Sequence, residues 1–167
     1  MPTEALEAKF KSIVGVVADV LKTAGFKKSG SRFRREVDGN LQLIEFQRSG
    51  FNDRDCLRFT ANIGVISARV LQKFEPEAHI QNKTEIDAHL RERLGNFRDK
   101  PGDYWWQLSE SADDAMIADE IRQLISKRVL PFLMEHSDDD ALATLWSSGR
   151  SPGLTEFQRN KFLAALS

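Results

Sequence analysis

Arg32, Arg34, Arg58, Arg91 and Arg93, with His89 and Trp105, are the residues of this sequence best suited to binding chemistry. Each stands on the polar parity of a segment whose apolar residues recur at every second position, the pattern of a strand with one buried face. If those strands share a sheet, the guanidiniums converge around one indole, in company with Thr60, Asn62 and Gln107. Arginine beside an aromatic ring suits an anion, a stacked base or an anchor for a protein partner. The same positions have a plainer use, because Glu36, Glu45, Asp87 and Glu92 are available to pair with the arginines across strands. C-terminal helices could also cover such a face.

The doublet Trp105 and Trp106 divides by the same rule, since adjacent side chains in a strand point to opposite faces. Trp106, in phase with Tyr104 and Leu108, is expected in the core. Trp105, in phase with Gln107, is expected outside it.

Covalent and metal chemistry find little support. His79, His89 and His136 are scattered, without HExxH or paired-cysteine spacing. The run "EHSDDD" at 135–140 reads as helix capping, with Ser137 as N-cap and the aspartates in the first turn. Cys56 is the only cysteine, which excludes an internal disulfide and a multi-thiolate site. There is no GxSxG elbow, GxGxxG or phosphate-loop signature. Asp99, Asp103 and Glu110 could supply a carboxylate pair, as could many acids in so charged a chain. No catalytic residue, metal or cofactor is assigned, and an enzyme reading rests on a pocket using His89 or Cys56.

These side chains need elements to position them. A chain of 167 residues, 41% hydrophobic and 29% charged, reads as one domain spanning 1–167. Its net charge of -1 sets up no global attraction to nucleic acid or membrane. Bases exceed acids between Phe26 and Arg69, and acids exceed bases between Glu110 and Asp140, so the two halves are expected to attract each other. No apolar run of about 18 residues exists to span a membrane. The opening "MPTEALEAKF" lacks the apolar centre of a secretory signal, so the cytoplasm is the expected location.

Thr3 caps a helix whose Leu6, Phe10, Ile13, Val14, Val17 and Leu21 form one stripe, and Gly25 ends it. From Ser31 the period changes to two: "RFRREV", a hairpin turn in "DGN" at 38–40, then "LQLIEFQRS". Apolar parity switches inside that last run, which implies a bulge or a strand covered on both faces. "CLRFTANIGV" is the clearest strand, and 67–84 reads as irregular. Residues 85–95 fit a strand better than a helix, with "GNFRDKPGD" as a hairpin-like connection to "YWWQL". A helix over Ala115 to Glu135 is kinked or ended at Pro131, and two more helices follow, opened by Ser137 and Thr155. The expected class is α+β: an antiparallel β-meander of about five strands backed by an N-terminal helix and C-terminal helices. Residues 1–25 are helical, 31–108 mainly sheet and 113–167 helical.

"GFKK", "FRR", "FQRS", "ANIGV", "RLG" and "DYWWQL" follow one another in a characteristic order. In that order and spacing the chain resembles, from about Leu6 to Phe132, a bacterial family catalogued as domain of unknown function 4304. The resemblance implies an α+β domain with a helix-backed antiparallel sheet and brings no reaction, cofactor or partner. The expected function is a non-enzymatic binding domain with a protein partner. The alternative is single-stranded nucleic acid or an anionic ligand on the same Arg/Trp face, and a small-molecule enzyme is a third. Dimerisation through a sheet edge or the last helix stays open.

Overall fold

Thr3 opens helix α1, Glu4–Thr23, by accepting a hydrogen bond from the Leu6 amide, and Glu4 and Glu7 favour its positive end. The helix closes in a Schellman motif: Phe26 N–H reaches the Leu21 carbonyl, Gly25 N–H reaches Lys22, and Gly25 has φ +94°. Phe26 folds back and is buried. The structure is a computed structural model and describes residues 1–167.

The chain then enters a six-stranded sheet: β1 (Lys27–Ser29), β2 (Arg32–Val37), β3 (Asn40–Arg48), β4 (Leu57–Ile66), β5 (Leu90–Arg93) and β6 (Trp106–Leu108). All pairings are antiparallel, in the order β1-β2-β3-β4. Asp38 and Gly39, at φ 54° and 80°, make the tight β2–β3 turn expected of "DGN". The expected hairpin between β5 and β6 is not formed. Both strands pair with β4 instead, β5 beside Asn62–Val65 and β6 beside Leu57–Phe59. Gly95 permits this by letting the chain double back, for a Cβ there would lie 2.5 Å from the Gly102 carbonyl oxygen.

One face of the sheet carries Phe33, Ile44, Phe46, Phe59, Ile63 and Trp106 and packs against α1 and α3 (Asp114–Leu124). Phe10 meets Phe59 at 5.2 Å, and Phe59 stacks on Trp106 at 6.1 Å. Trp106 is 2% exposed, and its indole N–H is satisfied by Glu120 of α3 at 3.2 Å. Lys9 pins α1 to the turn before α3 by donating to the carbonyls of Ser109, Glu110 and Ala112. Beyond α3 the helix runs on through Pro131 by widening to π spacing over Ile125–Val129, then continues as α4, Leu130–Glu135.

An apolar second layer covers the outer face at one end only. Leu41, Leu43 and Ile66 point outward there and join Leu71 and Ala88 in a second apolar cluster. The parity switch within β3 is therefore a strand buried on both faces, with unbroken register and no bulge. The cover is the excursion between β4 and β5, which begins with a helix where irregular chain was expected. Ser67 caps α2, Ala68–Phe74, and two 3-10 turns follow at Ile80–Asn82 and Glu85–Asp87. The second turn takes the first part of the expected 85–95 strand, leaving β5 four residues long. Gly64 sits directly beneath, and a Cβ on it would be 2.8 Å from that of Ala88.

Two C-terminal helices, α5 (Asp139–Ser147) and α6 (Glu156–Leu166), close this end. Asp138, not Ser137, is the N-cap of α5. Ser137 is buried and donates to Asp38 in the hairpin turn. Asp139 accepts from Asn40 and Ser67, and Asn40 accepts from the Ala68 amide. Only one ion pair, Arg69–Asp139 at 3.9 Å, links the basic stretch to the acidic one, so charge does not hold the halves together as expected.

Candidate functional site

Strand parity sends Arg32, Arg34, Arg58, Arg91 and Arg93 to the outer face, as the alternation implies, and His89 and Trp105, just before β5 and β6, lie on the same side. Their surroundings then divide them. His89 falls under the cover: its ring meets Phe162 of α6 at 4.7 Å, and its Nδ1 accepts the Ser67 amide at 3.0 Å. Burial lowers its pKa to about 4, against the pull of Glu75, Asp139 and Asp87, so the ring is neutral at physiological pH. It belongs to the fold and not to an accessible site. Cys56 precedes β4 while His89 bonds to Val65 near its far end, roughly 30 Å away at ordinary strand rise, so the two form no dyad.

Arg34 also serves the cover, donating to the carbonyls of Gln81 and Lys83. Arg91 pairs with Glu85 at 3.4 Å, and Arg32 lies 3.7 Å from Glu45. Burial raises the Glu45 pKa, Arg32 opposes this, and Glu85 adds to it. Arg34 and Arg91 are thus hydrogen-bonded within the protein, while Arg32 makes only the longer ion pair.

The other end of the face is open. Here Arg93 is ion-paired with Asp103 at 2.8 Å and lies 5.4 Å from the centre of the Trp105 ring. Trp105 is half-buried, beside a cleft of about 640 Å³ that also meets Phe51, Tyr104, Arg58, Gln47 and Gln107. Tyr104 was expected inside with Trp106. It is 39% exposed, its ring edge-on to Trp106 at 5.0 Å and its face covered by Arg98 at 3.6 Å.

Phe51 is the residue that sequence reading passed over, because "GFNDRD" looks like an ordinary polar loop. It is 85% exposed, yet the turn that carries it is tightly bonded. Ser49 Oγ accepts the Phe51 amide, and Asp53 accepts the amides of Asp55 and Cys56. Asn52 clamps Arg58 from both sides, accepting its N–H at 2.8 Å and donating to its carbonyl at 3.3 Å. An apolar ring held in water by an ordered turn was detectable only as a lone aromatic between turn residues.

A second concavity of about 470 Å³ lies on the helical side, where the π turn meets the β5–β6 excursion. Its arginines are paired, Arg98 with Glu120 at 3.1 Å and Arg128 with Asp99 at 2.5 Å. The Asp99 pKa is lowered by that hydrogen bond. Asp99 and Asp103 thus take separate arginines and form no carboxylate pair.

The family model described as Domain of unknown function (DUF4304) matches residues 17–135, most of the chain. The chain belongs to that family. The DUF4304 match runs from within α1 to the end of α4, so it takes in the whole sheet and both clefts and leaves out α5 and α6. No curated protein and no solved structure matches the chain significantly. No helix is long and apolar enough to cross a membrane.

Proposed function

We propose that this DUF4304 chain is a non-enzymatic binding domain that holds a protein partner at the open end of its outer sheet face, with Phe51, Trp105 and Arg58 in contact. What supports the reading above all is the exposed Phe51 ring, presented by an ordered turn beside Trp105. Aromatic and arginine side chains dominate the energetic centres of protein interfaces, and a turn whose backbone is ordered beforehand loses less entropy on binding. Nucleic acid fits less well. Arg32, Arg91 and Arg93 are already balanced by Glu45, Glu85 and Asp103, so a polyanion would find little free positive charge.

The test is quantitative capture from host lysate with three baits: wild type, Trp105→Ala/Arg58→Ala, and Arg122→Ala on α3 as a control. Proteins lost with the double variant and kept with the control support the reading. Identical recovery with all three baits removes this face. Salt-sensitive retention of mixed single-stranded oligonucleotides, abolished by the double variant, would put nucleic acid in the partner's place.

A further inference from the structure

Building on that reading of the open end, we propose that the cleft recognises a peptide segment in which an apolar side chain stands next to a carboxylate. The hydrogen-bonding capacity of its walls points there. The Gln47 carbonyl oxygen is taken by Asn62 at 2.8 Å, which leaves the Gln47 NH2 free to donate. Ser49 Oγ already accepts the Phe51 amide, so its hydroxyl hydrogen is free. The carboxylate of Asp103 is held by Arg93.

Arg58 completes the set. Its backbone is fixed by Asn52, while its guanidinium makes no hydrogen bond or ion pair within the chain. Spare donors therefore border the cleft, and its one carboxylate, Asp103, has its charge paired with Arg93 through one oxygen; Gln107 and the Tyr104 hydroxyl can serve either way. Such walls select an acceptor-only group. One free cation beside the paired Asp103 matches one negative charge better than the double charge of a phosphate.

The aromatic rim supplies the other half of the specificity. Phe51 and Trp105 border the same cleft as Arg58, and a ring as exposed as Phe51 is covered only by a partner reaching over the rim. An apolar side chain between the rings would shield the adjacent ion pair from water, where a charge-assisted contact gains strength. A free carboxylic acid would leave Phe51 in water.

The inference is tested by titrating the full chain with acetylated, amidated tetrapeptides. One has leucine followed by glutamate, a second leucine followed by glutamine, and a third alanine followed by glutamate. The Trp105 indole N–H resonance is followed, assigned by its loss in Trp105→Phe. The leucine–glutamate peptide should bind about tenfold more tightly than either of the others. Arg58→Gln should erase the glutamate preference, and Phe51→Ser the leucine preference, while both variants keep the wild-type spectrum elsewhere. Equal affinity for glutamate and glutamine peptides, or a preference that survives Arg58→Gln, overturns the proposal. So does displacement of the peptide by inorganic phosphate at lower concentration than by acetate. Lysate capture is blind to carboxylate selection, so a partner retained there alongside equal peptide affinities would overturn this inference and leave the binding reading standing.

Discussion

Along β3 and β4 the outer face passes from a closed end to an open one within a few residues. At the closed end the outward positions are Leu41, Leu43, Gly64 and Ile66; at the open end they are Gln47, Arg58, Thr60 and Asn62. The inward positions of β4 are alike in kind throughout, from Val65 to Phe59. A strand with apolar side chains on both faces needs a second layer, and the β4–β5 excursion supplies it. Where the outward residues are polar no apolar second layer forms; Thr60 and Asn62 are themselves buried, while Gln47 and Arg58 stay accessible. Cover is decided position by position along a strand, and the aromatic rim stands where internal cover stops.

The two tryptophans test this contrast most severely. Trp106→Ala should cost about 3–5 kcal/mol in denaturant unfolding, from the lost packing on Phe59 and the stranded Glu120 contact. Trp105→Ala, one residue away, should cost no more than about 1 kcal/mol. Similar losses would mean that the outer indole is as structural as the inner one.

Gly64→Val probes the tightness of the cover. Its methyl groups would collide with Ala88, and a loss of about 1–3 kcal/mol is expected. Phe51→Ser at the open end should leave stability within about 0.5 kcal/mol of wild type. A harmless Gly64→Val would show that the excursion rests loosely on the sheet.

Acid should loosen the closed end first. His89 has a pKa of about 4 in the folded chain and near 6.5 when unfolded, so between these values the unfolded state binds the extra proton. Stability is therefore retained above pH 6.5 and lost as pH falls towards 4, by about 2 kcal/mol between pH 7 and 5. Glu45, whose pKa is raised on folding, works in the opposite sense, because acid favours its buried form. The His89→Gln variant isolates the histidine contribution: its stability between pH 7 and 5 should fall by about 2 kcal/mol less than that of the wild type. Parallel pH profiles would show that the ring is not held neutral.

Much of the scaffold was legible in the residue order because it depends on neighbours in sequence. Thr3 and Gly25 bound α1 through contacts made within a few residues. The Asp38–Gly39 turn sets the β2–β3 register, and with it the parity that sends Arg32 and Arg34 outward. α2 was missed because its short stretch shows little periodicity and is held by a Ser67 cap and a buried network. Tyr104 was misplaced because β6 starts only at Trp106, so alternation did not extend back to it.

Which face each side chain takes was a property of the sequence itself, since alternation is imposed by the backbone of a single strand. Trp106 inward and Gln107 outward follow from that alone, whereas Trp105 precedes the strand and is placed by the loop that leads into it. What covers each face was settled only in three dimensions. Phe162 reaches His89, and Arg34 holds the Gln81 carbonyl, from far along the chain. Such long-range contacts are chosen by packing, which leaves no local pattern in the sequence. The exposure of Trp105, the unpaired guanidinium of Arg58 and the raised ring of Phe51 are products of that choice.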